Sequence, residues 1–512
     1  MESQPSTDHG NAYPGAVTGA QRHVDDRRAH AVLSLVLAFA VAACAGTDPT
    51  ADRTSSSPAG PTVATSLTPD GLAAAVTLDN VMGHVRALQS IAERHNGNRA
   101  SGTAGYDASV DYVAGRLTDA GFSVTTPTFD YPRFESGPLT LTADGRPVEA
   151  TVVQYSAGTG GRPLTGGPVA ITGHGCAPAD YPPTTSGAIA VVDRGTCTFA
   201  AKARAAADAG ARAVVVVNTS PDALTGATLG VDSAAAIPVV GVAQASGPGL
   251  RDAGALTLNL TAETRTITSR NVIAQTRTGA VDDVVVAGAH LDSVADGPGM
   301  NDNATGTAAV LETALRLGSS PRVENAVRFT FWGAEEDGLV GSSRYVSGLD
   351  DEQRRTIGRY LNFDMLGSPN PGYFVYDGDD SESRGAGPGP AGSDQIERVF
   401  TEYYDGRRIP TRPADFTGRS DYGPFLEIGV PAGGILTGAE EKKSAEQATL
   451  WGGRADAPFD PNYHRRGDTV DNVDRVALGI NSSAVGYAVG TWALAMDHTR
   501  ARGNSPASTA PS

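Results

Sequence analysis

Apolar positions recur at three- and four-residue spacing from about residue 78, where Val81, Val85, Leu88 and Ile91 mark one buried face of a helix. The turn-forming run Asn96-Gly97-Asn98-Arg99-Ala100-Ser101-Gly102 follows, and a second amphipathic helix carries Val110, Tyr112, Val113 and Leu117. Between about 137 and 265 the texture changes to short β-type runs at 169–171, 188–192, 213–217 and 237–242, with one Ala-rich helix over 200–209. From 271 the rhythm is strand then helix: strands over 284–289, 326–332, 361–363 and 433–436, and a helix over 307–317. Alternating strands and helices predict an α/β fold, a three-layer domain with a mainly parallel or mixed central sheet.

The β-rich stretch then reads as an insertion. The expected division is one α/β domain over 76–136 and 266–502, with the insert at 137–265. The insert's ends, near Glu135 and Thr268, can lie close together, as insertion at a surface loop requires. Residues 44–75 and 503–512, rich in Ser, Thr, Pro, Ala and Gly, read as a flexible tether and tail.

A length of 512 residues exceeds what one core holds, which fits two or three domains. The formal charge of −17 argues against nucleic acid as a partner, because such proteins present a basic patch. Arg27 and Arg28 precede an apolar run over 29–43, too short for a membrane span, so 1–43 reads as a signal region. Val41-Ala42-Ala43-Cys44 resembles the bacterial lipobox. That implies cleavage before Cys44, a lipid on its thiol, and an exported protein held on the outer face of the cell membrane. An ordinary secretory signal with an incidental cysteine is the alternative. Two cysteines remain, Cys176 and Cys197, and an even pair in an exported chain reads as a disulfide.

Five segments, most of them just after predicted strands, carry metal-type ligands: His290-Leu291-Asp292, Asn301-Asp302-Asn303, Glu335-Glu336, Asp364 and His464. Sites on open α/β sheets gather at the carboxyl ends of strands, so these residues can converge. Imidazole and carboxylate suit zinc. Two histidines and three carboxylates suffice for two ions if one carboxylate bridges. Singly, each has a plainer reading: a lone histidine is usually structural, paired acids are usually solvated, and Asp302 could cap a helix. The set of five outweighs these.

Taken in order, His290-x-Asp292-Ser293, Asn301-Asp302-Asn303-Ala304-Thr305-Gly306, Glu335-Glu336-x-Gly338-x-x-Gly341-Ser342, Asn362-x-Asp364-Met365 and Tyr463-His464-x-x-x-Asp468-Thr469 resemble the co-catalytic zinc aminopeptidases of the aminopeptidase S and aminopeptidase Y type. Gly195-Thr196-Cys197-Thr198-Phe199, the Ala-rich helix and Gly210-Ala211-Arg212-Ala213-Val214 resemble the protease-associated domain, in which a Cys176–Cys197 disulfide also fits. The resemblance implies two zinc ions: His290 and Asp364 on one, Glu336 and His464 on the other, Asp302 bridging. It implies Glu335 as general base and acid, Asp292 orienting His290, and Tyr463 donating to the oxyanion. It further implies Arg419 contacting substrate and a cis peptide at Asp302-Asn303. The substrates would be peptides with a free N-terminus. Some relatives brace the loop of the last histidine with a disulfide. Here Asn462 and Gly467 flank it and no cysteine is present. A carboxypeptidase or glutaminyl cyclase on the same scaffold, or a non-catalytic peptide-binding lipoprotein, are the alternative readings.

Overall fold

The computed structural model of the protein describes residues 67–231, 236–383, 385 and 387–494. The signal segment, Cys44, most of the tether and the tail lie outside the described residues. The described chain divides into two compact units, one spanning Ser136–Glu263 and the other made of the chain up to Glu135 and from Thr264 onward.

The larger unit is built on an eight-stranded sheet. Its strands are β1 (Ser123–Thr125), β2 (Val272–Gln275), β3 (Ala280–His290), β4 (Asn325–Trp332), β5 (Ile357–Phe363), β6 (Phe374–Tyr376), β7 (Arg412–Ala414) and β8 (Ala432–Leu436). Their order across the sheet is β1-β2-β4-β3-β5-β8-β6-β7. The four central strands β4, β3, β5 and β8 run parallel. Antiparallel pairing enters toward both edges, so the sheet is mixed.

The central strands are apolar throughout because both faces are covered. Val285, Ala287 and Ala289 of β3 pack on one side with Leu311, Phe400 and Val485 from helices Thr305–Leu317, Ser393–Asp405 and Arg475–Leu494. Val284 and Val286 point the other way, into a cluster with Val346, Tyr360 and Phe425. The period of two along β3 thus divides the domain into three layers. One expectation is corrected here. The tether was read to continue to residue 75, but Pro69–Ala75 is a helix. Thr68 accepts the amide of Gly71 as its cap, proline occupies the first turn, and Leu72 and Ala73 are buried.

The smaller unit holds a five-stranded sheet ordered Thr151–Val152, Val239–Val242, Ala213–Val217, Ile189–Asp193 and Pro168–Ala170. Helix Phe199–Asp208 packs on it through Ala203 and Ala206. Two long strands that the hydrophobic pattern did not reveal, Thr128–Ala143 and Leu256–Arg270, are neighbours in a second, four-stranded sheet.

Cys176 and Cys197 are bonded, 21 residues apart in sequence. Closing a loop of that length stabilises by about 3 kcal/mol. Cys176→Ser with Cys197→Ser is therefore expected to lower the melting temperature of this unit in calorimetry. An unchanged melting profile would show that the crosslink contributes nothing.

Candidate metal centre

Strands β3, β4 and β5 end together, and the loops that leave them supply the site. His290 is the last residue of β3. Glu335 and Glu336 follow β4, and Asp364 follows β5. Asp302 lies in the loop before helix Thr305–Leu317, and His464 comes from the long segment after β8. Helix and strand approach closely there, since a Cβ on Gly306 would sit 2.3 Å from the carbonyl oxygen of Phe363. Asn303 uses that proximity. Its Oδ1 accepts the amides of Gly306 at 2.9 Å and Met365 at 3.2 Å, which joins the Asp302 loop to the Asp364 loop.

The five side chains converge. His290 Nε2 lies 3.1 Å from Asp302 Oδ1 and 3.3 Å from Asp364 Oδ1. His464 Nε2 lies 3.2 Å from Asp302 Oδ2 and 3.0 Å from Glu336 Oε2. Two triads result, His290-Asp302-Asp364 and Asp302-Glu336-His464, in each of which the donor atoms lie within 4.8 Å of one another. Asp302 belongs to both and gives each one oxygen. Glu336 Oε1 is buried without a hydrogen-bond partner.

Such crowding of buried carboxylates calls for positive charge. Burial alone would lower the His464 imidazole, but Glu336 and Asp302 carry it up to about 10. His290 rises in the same way against its burial, through Asp364 and Glu335. Burial pushes Glu336 up to about 7, with the Asp302 charge adding to it. A cation held by either triad would take these imidazoles in their neutral form, so its uptake would be linked to proton release.

The supports of the ligands are themselves buried. Asp292, fully enclosed, accepts the backbone amides of Glu335 at 3.2 Å and Glu336 at 3.3 Å. Its link to His290 is mainly through the main chain. His290 Nδ1 lies 3.2 Å from the Asp292 carbonyl oxygen and 3.8 Å from its carboxylate. Asp292 therefore sets the glutamate loop as much as the histidine.

Asp468 accepts the amides of Asn301 at 2.8 Å and Asp302 at 3.0 Å, immediately ahead of the cis peptide at Asp302-Asn303. Ser420 donates to Asp364 Oδ2 at 2.7 Å. Sequence reasoning assigned no role to Asp468 or Ser420. Asp468 lies inside the Tyr463–Thr469 motif and Ser420 inside Gly418-Arg419-Ser420-Asp421, so membership of a motif was the available signal for both. Three non-glycine residues at or beside the ligands, Ala334, Met365 and His464, hold positive φ of 57°, 54° and 56°. Such conformations persist only where the surroundings fix them.

The last-histidine loop is braced by amides and carboxylates. Asn462 Nδ2 donates to Asn472 Oδ1 at 2.6 Å, and Asn472 Nδ2 donates to both oxygens of Asp460 at 3.0 and 2.9 Å. Tyr463 stacks on His464 with ring centroids 3.8 Å apart. Arg419 Nη2 donates to the Tyr463 hydroxyl at 3.2 Å, and its guanidinium pairs with Glu440 at 3.0 Å and Glu441 at 3.3 Å.

A cavity of about 530 Å³ opens beside the five side chains. Asp302, Glu335 and His464 form its polar end, while Met365, Phe374 and Phe459 contribute apolar wall. Burial drives Glu335 well above the usual carboxylate range, with His290 opposing and Asp421 and Glu336 adding to the rise. No helix among the described residues is long and apolar enough to cross a membrane.

Comparison with known proteins agrees with this geometry. The family model for peptidase family M28 matches residues 271–489, and that for the PA domain matches 163–250. A probable lipoprotein aminopeptidase, LpqL, of Mycobacterium tuberculosis is 51% identical over 82% of this chain and 85% of its own length. Leucine aminopeptidase 2 of Arthroderma otae is 39% identical over 83% of this chain and 86% of its own. Among solved structures, an aminopeptidase from Aneurinibacillus sp. strain AM-1 is similar, with a TM-score of 0.64 and 25% identity, over 83% of this chain and 96% of that one. The zinc aminopeptidase BSAP of Bacillus subtilis gives a TM-score of 0.53 and 26% identity over 81% and 94%. With its mixed sheet, its converging ligand loops and identity of this extent across most of its length, the chain belongs to peptidase family M28 and carries a PA domain.

Proposed function

We propose that this protein is a zinc-dependent aminopeptidase that holds two ions, with Asp302 shared between them. The observation that carries the reading is the division of the Asp302 oxygens, one toward each histidine. The donor set fits zinc in kind, and the buried Glu336 oxygen without a partner fits a cation as its missing neighbour. His290 and Asp364 would complete one site, Glu336 and His464 the other.

When bound, zinc would supply a Lewis acid that polarises the scissile carbonyl and lowers the pKa of bound water toward about 7. The remaining work belongs to the chain. Glu335, raised by burial and held through its amide by Asp292, takes the proton of the attacking water and returns it to the leaving amine. Tyr463 donates its hydroxyl proton to the developing oxyanion. Arg419 already donates into the Tyr463 oxygen, which leaves that proton free for the substrate. The acidic end of the cavity receives the free α-amino group, and the apolar wall receives the first side chain.

Arg419 also speaks against a carboxypeptidase. Its charge is matched by Glu440 and Glu441, so it is not a free anchor for a terminal carboxylate. The name of the mycobacterial relative, together with Val41-Ala42-Ala43-Cys44, supports export and lipid attachment at Cys44. The family matches support an insert within 137–265 and a peptidase domain that resumes near 266, and the buried helix Pro69–Ala75 supports a start of that domain before residue 76.

A panel of aminoacyl-nitroanilides tests the activity. Leucyl-nitroanilide is expected to be cleaved, its N-acetylated form to be inert, and prolonged treatment with chelator to abolish turnover until zinc is restored. Cleavage of the blocked substrate alone would overturn the aminopeptidase reading.

A further inference from the structure

Arg99 is fully enclosed and sits behind the metal centre. Its backbone pairs with Ser293 in both directions: the Arg99 amide donates to Ser293 Oγ at 2.9 Å, and the Ser293 amide donates to the Arg99 carbonyl at 3.3 Å. All three guanidinium nitrogens donate to main-chain carbonyls of one loop. Nε reaches Pro298 at 3.0 Å, Nη2 reaches Gly299 at 2.7 Å, and Nη1 reaches Leu291. Leu291 directly follows His290, and Gly299 lies three residues before Asp302. The guanidinium therefore grips both ends of the loop that joins these two proposed ligands.

Burying a full charge with only carbonyls as partners is costly in an ordinary core. Here burial does lower the guanidinium pKa, to about 10, while the fields of Asp292, Asp468, Asp302 and Glu336 work to keep it charged. The acidic shell thus favours this cation at its back. The planar fork of arginine explains the residue type. A lysine ammonium carries the same charge but has no rigid fork to span Leu291, Pro298 and Gly299 at once. The space is close-fitted as well, since a Cβ on Gly299 would lie 3.1 Å from Arg99 Nη2 and 2.4 Å from the Asp302 carbonyl oxygen.

We propose that Arg99 is a positioning residue of the metal centre, which fixes the separation of His290 from Asp302 through the 291–299 loop and thereby sets zinc affinity. The inference rests on the zinc reading above. Two effects of removing it have opposite signs. Loss of a nearby positive charge would strengthen cation binding, whereas loss of the clamp would weaken it. The geometry assigns the larger effect to the clamp.

The test is zinc affinity of the full chain, measured by competition with a fluorescent chelator, for the wild type, Arg99→Lys and Arg99→Met. Circular dichroism and melting run alongside. Arg99→Lys is expected to bind zinc roughly 10–100-fold more weakly, the usual cost of removing support from behind a ligand. The visible spectrum of its cobalt-loaded form should be altered, because the ligands themselves move. Arg99→Met, which removes the charge too, is expected to weaken binding as well. Ser293→Ala loosens the same clamp with the guanidinium in place, and carries the measurement with the same expected sign if neither Arg99 variant folds. Unchanged or tighter zinc binding in folded variants would overturn the proposal. Failure of the wild type to bind zinc would instead overturn the zinc reading, and this inference with it.

Discussion

Asp302→Ala is expected to empty both metal sites at once, whereas His464→Ala is expected to empty only one. The difference follows from how Asp302 is placed. Its Oδ1 faces His290 at 3.1 Å and its Oδ2 faces His464 at 3.2 Å, so each triad loses a donor when the side chain is removed. Three protein ligands are the usual minimum of an open zinc site, and two do not hold the ion against dilution. Metal analysis after gel filtration should show zinc falling from two per chain to none for Asp302→Ala, and to one for His464→Ala. Turnover should fall on the order of 10⁴-fold in the first, since a Lewis acid supplies several kcal/mol and each 1.36 kcal/mol is tenfold. Retention of two zinc ions by Asp302→Ala would remove the bridging assignment.

Glu335→Gln is expected to separate chemistry from metal binding. The substitution keeps the backbone amide that Asp292 accepts, and Glu335 belongs to neither of the two donor triads. Zinc content and melting temperature should therefore stay near those of the wild type. What is lost is a group that takes and returns a proton, a contribution of about 10²–10⁴-fold in rate. The loss should fall on kcat with leucyl-nitroanilide and leave KM little changed. If zinc is lost as well, Glu335 acts as a ligand. If kcat survives, the proton is carried elsewhere.

Three of the five proposed ligands were legible in the chain because they stand at or just past the ends of strongly apolar strands. His290, Glu336 and Asp364 each follow a run whose burial the sequence states plainly. Less was legible where side chains serve the backbone. Asp468 accepts two main-chain amides across 166 or more residues of sequence, and nothing local marks an aspartate for that task. Arg99 was seen only as part of a turn-forming run, since its partners are carbonyl oxygens, which every residue possesses.

Arg419, expected to contact substrate, lines the cavity, and Glu440 and Glu441 pair with its charge from a loop whose course periodicity does not reveal. The helix Pro69–Ala75 was taken for tether because seven residues are too few for a helical period to stand out from an Ala- and Thr-rich background. Its cap at Thr68 was present in the sequence, yet short caps are common in coil. The two long strands Thr128–Ala143 and Leu256–Arg270 escaped notice because stretches of them are exposed, and their alternation of apolar and polar positions is weak.

The pairing of Asp302 with His464 bears on how the enzyme comes into being. These two residues stand 162 positions apart, and helix Arg475–Leu494, which seals one face of the sheet, comes later still. Contacts this distant form only after most of the loop-closure entropy has been overcome. On the proposed two-ion reading, a chain cut short before residue 464 would hold at most the His290-Asp302-Asp364 triad, and so one ion. Acquisition of the second ion would then report completion of the fold, and a peptide-cleaving centre would stay unassembled while the chain is still emerging.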